Sequence, residues 1–522
     1  MSENTENTGP ARRRRRGHSP AGTPVQSVPS QEPWRQPRRH FKPVDLIPED
    51  QIEAIHETSL QILSEIGVDF LHEDARRLLA GAGARVDPNS ERVRFDPELI
   101  EETLRTAPSE FALHAPNPER NLQIGGDSVA FTAVASPPNA SDEAGGRRVG
   151  NRKDFQNLVR LAHTINTVHM YGGYPVEPVD IHASVRHLDA LYDMLTLSDR
   201  AVHAYSLGKQ RNLDALEMIK IVRQVDDATL EKEPSLCSVV NASSPLRYDH
   251  PMLQGIIEFS SRNQVIIVTP FTLAGAMAPV TIAGAVAQHN AEALAGIALT
   301  QVVRPGAPVV YGGFTSNVDM QSGAPAFGTP EFMQTAMITG QLTRRYGVPY
   351  RSSGVNAANA LDAQAAYESV FSLWGAIMGG AHIVLHAVGW MEGGLRASFE
   401  KMILDADLCG MVQRFMDPID VGTDALALDA VRDVGPGGHY FGTQHTLDRF
   451  RTAFYNPLIS DWRNYESWEE AGMPEAKAKM VELVRVFLDS YQEPDHLDAA
   501  VKAELGEFVE RRKAEGGVET DY

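Results

Sequence analysis

The residues best placed to do chemistry in this chain are aromatic rings and one arginine. Tyr171, Tyr174, Tyr205, Phe271, Tyr311, Phe314 and Trp390 each lie at or just beyond the end of a short β-branched or apolar run, and Arg351 closes another such run. The other polar residues at these ends are Ser136, Asn139, Ser206, Asn241, Ser243, Ser244, Thr269, Ser352, Ser353, His386 and Glu392. Groups suited to proton transfer or metal binding are therefore few. Rings facing a common centre suit a quaternary or tertiary ammonium ion, whose charge interacts with π faces without hydrogen bonds. One such contact is worth roughly 0.5–2 kcal/mol, so three or four supply micromolar-class binding. Arg351 can hold a carboxylate through two parallel bonds. Rings plus one arginine describe a betaine-like zwitterion better than a plain amine. Two plainer readings stay open: a ring after a strand packs the core, and Arg351 pairs with a structural carboxylate.

The elements that would gather these residues recur regularly. Apolar runs at 129–134, 168–172, 201–205, 236–241, 265–269, 308–311, 348–351 and 382–386 start 29 to 43 residues apart, the size of a βα unit. Helical periodicity fills the gaps at 154–165, 182–197, 213–225, 251–260, 284–303, 329–346 and 364–378. Eight such units predict an α/β fold, a (β/α)8 TIM barrel, whose site forms at the C-terminal ends of the strands. An open doubly wound sheet would carry a Gly-rich phosphate turn after its first strand, and Ala135-Ser-Pro-Pro-Asn139 cannot serve as one. Helices predicted at 48–66, 72–80 and 97–105 make an N-terminal helical extension over 46–128. The barrel domain spans 129–460. A C-terminal helical segment spans 461–522, with amphipathic stretches at 475–491 and 496–512.

Composition removes several function classes. The net charge of −20 over 522 residues disfavours nucleic acid and anionic membranes, which would be repelled. Residues 1–45 run against that trend, with nine Lys or Arg, including Arg12 to Arg16, against four Asp or Glu. Rich in Pro, Ser and Gln, this stretch is expected to be a disordered tail. Two distant cysteines, Cys237 and Cys409, make neither a disulfide framework nor a cysteine-based zinc site, and no long apolar stretch or signal sequence occurs. The setting expected is reducing and cytoplasmic. Schiff-base chemistry is disfavoured because the nearest lysine to a strand end is Lys209, a few residues past the third. His382 and His386 sit four apart on a strand, about 13 Å at ~3.3 Å per residue, too far to share a metal.

Five stretches in order carry a family likeness: Ser244-Pro-Leu-Arg-Tyr-Asp249, Thr269-Pro-Phe-Thr-Leu-Ala-Gly-Ala-Met-Ala-Pro-Val-Thr281, Pro308-Val-Val-Tyr-Gly-Gly-Phe314, Asp362-Ala-Gln-Ala-Ala-Tyr-Glu368 and Gly435-Pro-Gly-Gly-His-Tyr-Phe441. The chain resembles the trimethylamine methyltransferase family over about 46–512. The resemblance implies a barrel that moves a methyl group from a methylated amine to the Co(I) centre of a separate corrinoid protein. Accordingly, no cofactor is bound by the chain itself, and its partners are the amine, a cognate corrinoid protein and further copies in a homo-oligomer. The family's best-known members carry pyrrolysine just before the stretch matching Asp362-Ala-Gln364; here Gly354-Val-Asn-Ala-Ala-Asn-Ala-Leu361 holds ordinary residues. Family members without pyrrolysine include glycine betaine methyltransferases. A quaternary ammonium is already an activated leaving group, so the enzyme needs desolvation and in-line placement rather than an acid or base. On this reading Tyr174, Phe271, Tyr311 and Phe314 form the cage, and Arg351 binds the carboxylate. His386, with Gln364 and Glu368, orients the substrate. The rival readings are a non-catalytic methylamine- or corrinoid-binding barrel and a barrel lyase or isomerase. The first would bind without turnover; the second would need an essential acid or base at a strand end.

Overall fold

A computed structural model describes residues 29–519. At its centre is a curled, all-parallel sheet of seven strands: β1 (Ala130–Ala133), β2 (Val202–His203), β3 (Leu236–Val240), β4 (Val265–Val268), β5 (Val309–Gly312), β6 (Tyr350–Ser353) and β7 (Ile383–Val388). The spatial order is β1-β7-β6-β5-β4-β3-β2, so chain order is kept except that β1 lies beside β7. Seven of the eight expected strands are present. The run at 168–172 contributes a single-residue element: Met170 makes parallel bridges to Thr132 of β1 and to Ala201 just before β2. Gly172, Gly173 and Pro175 follow it at once, and without branched side chains or a full set of amide donors the stretch does not extend as a strand.

Strand residues alternate between two apolar environments. Ala130, Met170, Ala201, Cys237, Val265, Ile267, Val310, Ile383 and Leu385 form an inner cluster. Ile266, Val268, Val309, Tyr311 and Val384 pack outward into the larger core shared with the helices. Burial on both faces explains why runs such as Val265-Ile-Ile-Val268 read as continuously apolar. The connecting helices are α1 (Arg152–Thr164), α2 (Arg186–Leu197), α3 (Lys209–Arg223), α4 (His250–Ser261), α5 (Ile282–Val303), α6 (Pro330–Tyr346), α7 (Ala363–Gly379) and α8 (Phe399–Met416). Leu113, Leu122 and Ile124 of the hairpin Glu110–Leu113/Leu122–Gly125 join the inner cluster, with Trp34 packed against it, so this end of the sheet is plugged.

Two boundary expectations change. Residues 1–28 of the expected tail, with Arg12 to Arg16, lie outside the described residues. From residue 29 onward the chain lies along the body. Gln31 donates to the Thr164 carbonyl at 2.9 Å, Arg35 pairs with Asp417 at 2.7 Å, and Arg39 is buried. Trp34 and Phe41 supply the apolar anchors, Phe41 meeting Phe415 at 5.5 Å. The 46–128 region is not purely helical. Its helices Glu49–Gln61, Glu73–Gly81 and Pro97–Thr106 accompany strands Val68–Phe70, Arg85–Val86 and Arg92–Arg94. These three complete a sheet with Arg247–Tyr248 from the loop after β3, a distant pairing that local periodicity cannot reveal.

The loops beyond the strand C-termini are tied in pairs. After β1, strands Asn139–Asp142 and Gly146–Val149 join Trp390–Met391 and Arg396–Ser398, which follow β7. After β4, Thr272–Ala274 pairs in parallel with Thr315–Val318 after β5. The C-terminal helices Ala476–Asp489 and Ala499–Ala514 pack back on the body, with Arg512 on buried Asp214 at 2.8 Å and Lys513 on buried Asp189 at 3.1 Å. No helix among the described residues is long and apolar enough to cross a membrane.

Helices α6 and α7 cross so closely that a Cβ on Gly340 would stand 1.9 Å from the Gly379 carbonyl oxygen. Gly340→Ala should cost about 1–3 kcal/mol in urea unfolding, as overpacking of a tight contact does. Gly506→Ala, in a helix where a Cβ meets nothing within 4 Å, should instead stabilise by about 0.5–1 kcal/mol. Equal effects of the two substitutions would contradict this account of the crossing.

Candidate active site

The alternation of β6 turns Tyr350 outward, where its hydroxyl donates to the Ala336 carbonyl of α6 at 2.7 Å, and puts Arg351 on the inner face. Arg351 pairs in register with Gly312 and with inward-facing Ile383. A Cβ at Gly312 would stand 1.8 Å from Thr269 Oγ1, so the two strand ends meet there with no room for a side chain. Arg351 is 2% exposed, and its Nε and Nη1 have no hydrogen-bond partner. Among the described residues no carboxylate pairs with it, which removes the structural-carboxylate reading. Its guanidinium carbon sits 5.0 Å from the centre of the Phe314 ring. Burial pulls its pKa down to about 9, the direction expected for a cation held out of water without an anion.

His386 is aimed by a bulge. The β7 register shifts between Val384 and Val388, and His386 has φ +58°, a sparsely occupied conformation for a residue with a Cβ. Its amide donates to Thr132 Oγ1 at 3.1 Å, and Nδ1 is buried without a partner. Burial first, then the charge of Arg351, holds its pKa well below the usual imidazole value. The ring is neutral at physiological pH and lies 4.2 Å from Trp390 and 6.1 Å from Phe314. Gly389, between His386 and Trp390, donates its amide to Asp405 at 2.8 Å, and Asp405 is paired in turn with buried Lys401.

Phe314 is the hub of the rings. Phe271 lies 5.2 Å away, Phe327 stacks at 5.6 Å, and Phe332 and Trp390 meet it edge-on at 6.4 Å. Two residues expected in the cage lie elsewhere. Tyr311 points outward from β5; its hydroxyl donates to Asn290 of α5 at 3.0 Å and its ring stacks on Tyr346. Tyr174 packs edge-on against Tyr205 at 4.4 Å and against Phe155. Gln364 and Glu368 act on the backbone. Gln364 donates to Glu368 at 2.8 Å, and Glu368 accepts the amides of Ala357 and Ala358 at 2.8 and 3.0 Å. They shape loop 354–361, where Asn356 donates to the Trp390 carbonyl at 2.6 Å and accepts from the indole at 3.2 Å.

Sequence reasoning brought Arg351, Phe314, Phe271 and His386 toward one place and did not single out Phe327 or Phe332. Those two belong to the loop after β5 and the start of α6, where they read as ordinary packing residues. Trp390 was visible after the last strand, but its contact with His386 depends on the bulge. The unpartnered hydroxyls of Thr269, Thr315 and Ser353 add neutral polar groups at the same strand ends. Among the described residues no group of three or more His, Cys, Asp or Glu side chains is placed to hold a metal ion.

The family model described as trimethylamine methyltransferase (MTTB) matches residues 11–517. The chain is 36% identical over 476 residues to a glycine betaine methyltransferase of Desulfitobacterium hafniense, covering 91% of this chain and 98% of that one. It is 26% identical over 472 residues to a trimethylamine methyltransferase of the same species, covering 90% and 94%. Among solved structures it is similar to the monomethylamine methyltransferase of Methanosarcina barkeri, with TM-score 0.47, 13% identity and coverage of 86% and 89%.

Burial also holds His169, His203 and His289 at about 3 and His382 at about 4, all from 6.5. Below pH 6.5 the unfolded chain takes up protons that these native histidines refuse. Their contribution to stability is complete above that pH and is lost as pH falls toward the folded values. Each costs up to about 1.4 kcal/mol per pH unit within that window. Urea unfolding at pH 5.5 should give a free energy lower than at pH 7.5 by on the order of 4 kcal/mol, with proton uptake on unfolding. A flat profile would contradict the neutral burial of these rings.

Proposed function

We propose that this chain, which belongs to the trimethylamine methyltransferase family, moves a methyl group from a betaine-like quaternary amine to the Co(I) centre of a separate corrinoid protein. The observation that carries the substrate class is the buried guanidinium of Arg351, which meets no carboxylate among the described residues and lies 5.0 Å from the Phe314 ring. A buried cation without an anion is costly, and a bound carboxylate would relieve that cost. The same ligand would place its ammonium group among Phe314, Phe271 and Trp390. Ring and guanidinium are adjacent, which suits a zwitterion whose charges are one carbon apart. The similarity to a glycine betaine methyltransferase points the same way.

In the proposed step the C–N bond breaks, the nitrogen keeps the electron pair as a neutral tertiary amine, and the methyl group passes to the nucleophilic metal of the partner. No proton moves when the donor is quaternary. This chain's part is to orient and dehydrate the substrate. Arg351 would grip the carboxylate. Phe314, Phe271 and Trp390 would favour the cation, and His386, neutral with a free Nδ1, would line the substrate's polar side. Gln364 and Glu368 act from behind by fixing loop 354–361. The contacts found for Tyr174 and Tyr311 take both out of the cage. We read the sheet as a closed (β/α)8 barrel with the stretch around Met170 as its eighth stave, a reading supported by the two bridges that Met170 makes. The enzyme on this reading works in the cytoplasm as a homo-oligomer and holds no cofactor of its own.

Methyl transfer to free cob(I)alamin, followed by absorbance, tests the assignment. Arg351→Ala should raise KM for glycine betaine roughly 100-fold, about 2.7 kcal/mol, and change KM for choline by less than about 3-fold. Equal losses for both substrates would remove the carboxylate role. Phe314→Ala should lower kcat/KM for both by roughly 10-fold, while Tyr311→Phe should change neither by more than about 2-fold.

A further inference from the structure

Arg351 belongs to a row of inward-facing residues that crosses four strands. It pairs in register with Gly312 at the end of β5. Tyr311 pairs with Val268, and Val268 with Val240. Those three pack outward into the larger core, so the residues after them, Gly312, Thr269 and Asn241, turn inward side by side. The row reads Arg351, Gly312, Thr269, Asn241. Thr269 starts two strands from Arg351, about 10 Å at ~4.8 Å per strand. Its side chain crosses part of that gap. A Cβ at Gly312 would stand 1.8 Å from Thr269 Oγ1 and 2.7 Å from Thr269 Cβ. The hydroxyl therefore lies where a side chain at position 312 would be, next to the strand that carries Arg351. Only a glycine at 312 leaves it that room.

Both groups lack a partner. Thr269 is 1% exposed, and its Oγ1 makes no hydrogen bond. Arg351 Nε and Nη1 are buried in the same condition. An unbonded buried hydroxyl costs about 1–3 kcal/mol, and a valine would fill the same space without that cost. A hydroxyl can donate one hydrogen bond, and a guanidinium donates several in a fixed fork. A cation and a neutral donor that approach each other across a residue without a side chain suit a single carboxylate, one oxygen to each.

We infer that Thr269 is a specificity-determining residue of this site: its hydroxyl donates a hydrogen bond to the substrate carboxylate that Arg351 grips, and Gly312 is the gap through which it reaches. The inference rests on the proposed function, because it takes the carboxylate of a betaine as the ligand. It adds where that carboxylate lies, over Gly312 at the end of β5, below the Phe314 ring that follows two residues later. It also adds a basis for selection. Arg351 by itself attracts any anion. A second donor at a fixed place rewards a planar group with two acceptor oxygens and gives little to the single hydroxyl of choline. Phe271 follows Thr269 by two residues, so one short stretch, Thr269-Pro-Phe271, supplies both a donor for the carboxylate and a ring for the ammonium group. No bond forms or breaks in this role; the hydroxyl binds and orients.

Titration calorimetry on the full chain with glycine betaine and with choline, without any corrinoid, tests this. Thr269→Val keeps the shape and removes the hydroxyl. It should weaken glycine betaine binding roughly 10-fold and choline binding less than about 2-fold. Thr269→Ser, which keeps a hydroxyl, should recover most of the loss. Thr269→Val combined with Arg351→Ala should cost less than the product of the two single losses, because both side chains act on one carboxylate. Urea unfolding of Thr269→Val should show no loss of stability, since the hydroxyl has no partner within the chain, and this separates loss of ligand from loss of fold. Equal losses for the two ligands, a serine variant as weak as the valine one, or independent effects in the double variant overturn the inference. If Arg351→Ala itself fails to discriminate between the ligands, the proposed function falls and this inference falls with it. If Arg351→Ala discriminates and Thr269→Val does not, the inference alone is overturned.

Discussion

A positive charge held out of water without a negative partner organises this structure. Arg351 stands on the inner face of a parallel strand, where the walls of the sheet exclude solvent and no carboxylate among the described residues comes to meet it. Such a group is costly in isolation, and its pKa falls toward 9 for that reason. A protein built only for stability would pair or replace it. Here the surroundings are arranged around it. The Phe314 ring offers a π face, His386 is kept neutral and so adds no second charge, and Gly312 leaves the adjoining strand end bare.

Keeping those groups in register takes more than the strands that carry them. Loops at strand ends are mobile unless tied, and here they are tied to each other. The loops after β1 and β7 share a sheet, as do those after β4 and β5. The loop after β6 is bound to the loop after β7 through Asn356 and Trp390, and Glu368 fixes it from α7. The buried Lys401–Asp405 pair holds the turn between His386 and Trp390. The proposed chemistry, which works by placement and exclusion of water rather than by proton transfer, would depend on this rigidity.

Much of the layout was legible in the residues. Runs such as Val265-Ile-Ile-Val268, buried on both faces, announce strands of a parallel sheet, and the helices between them follow the apolar period closely: α5, expected at 284–303, spans Ile282–Val303. Arg351, Phe314, Phe271 and His386 could be expected near one another because they stand at or just past the ends of the runs read as strands, and such ends gather on one side of this kind of fold. Tyr311 was misjudged for a local reason. It lies one residue inside the end of β5, and the pleat sends it outward to Asn290. One residue of phase decides the face, and a sequence marks a strand's end no more finely than that.

Sequence alone therefore determined the strand–helix alternation and the supply of rings around one arginine, because periodicity and residue type act over a few neighbouring positions. Tertiary structure alone decided that Arg351 meets no carboxylate among the described residues, that a bulge turns His386 toward Trp390, and that Gln364 and Glu368 brace a loop. Each of these depends on contacts between segments far apart in the chain, or on a register shift of one residue, and neither leaves a periodic trace in the sequence.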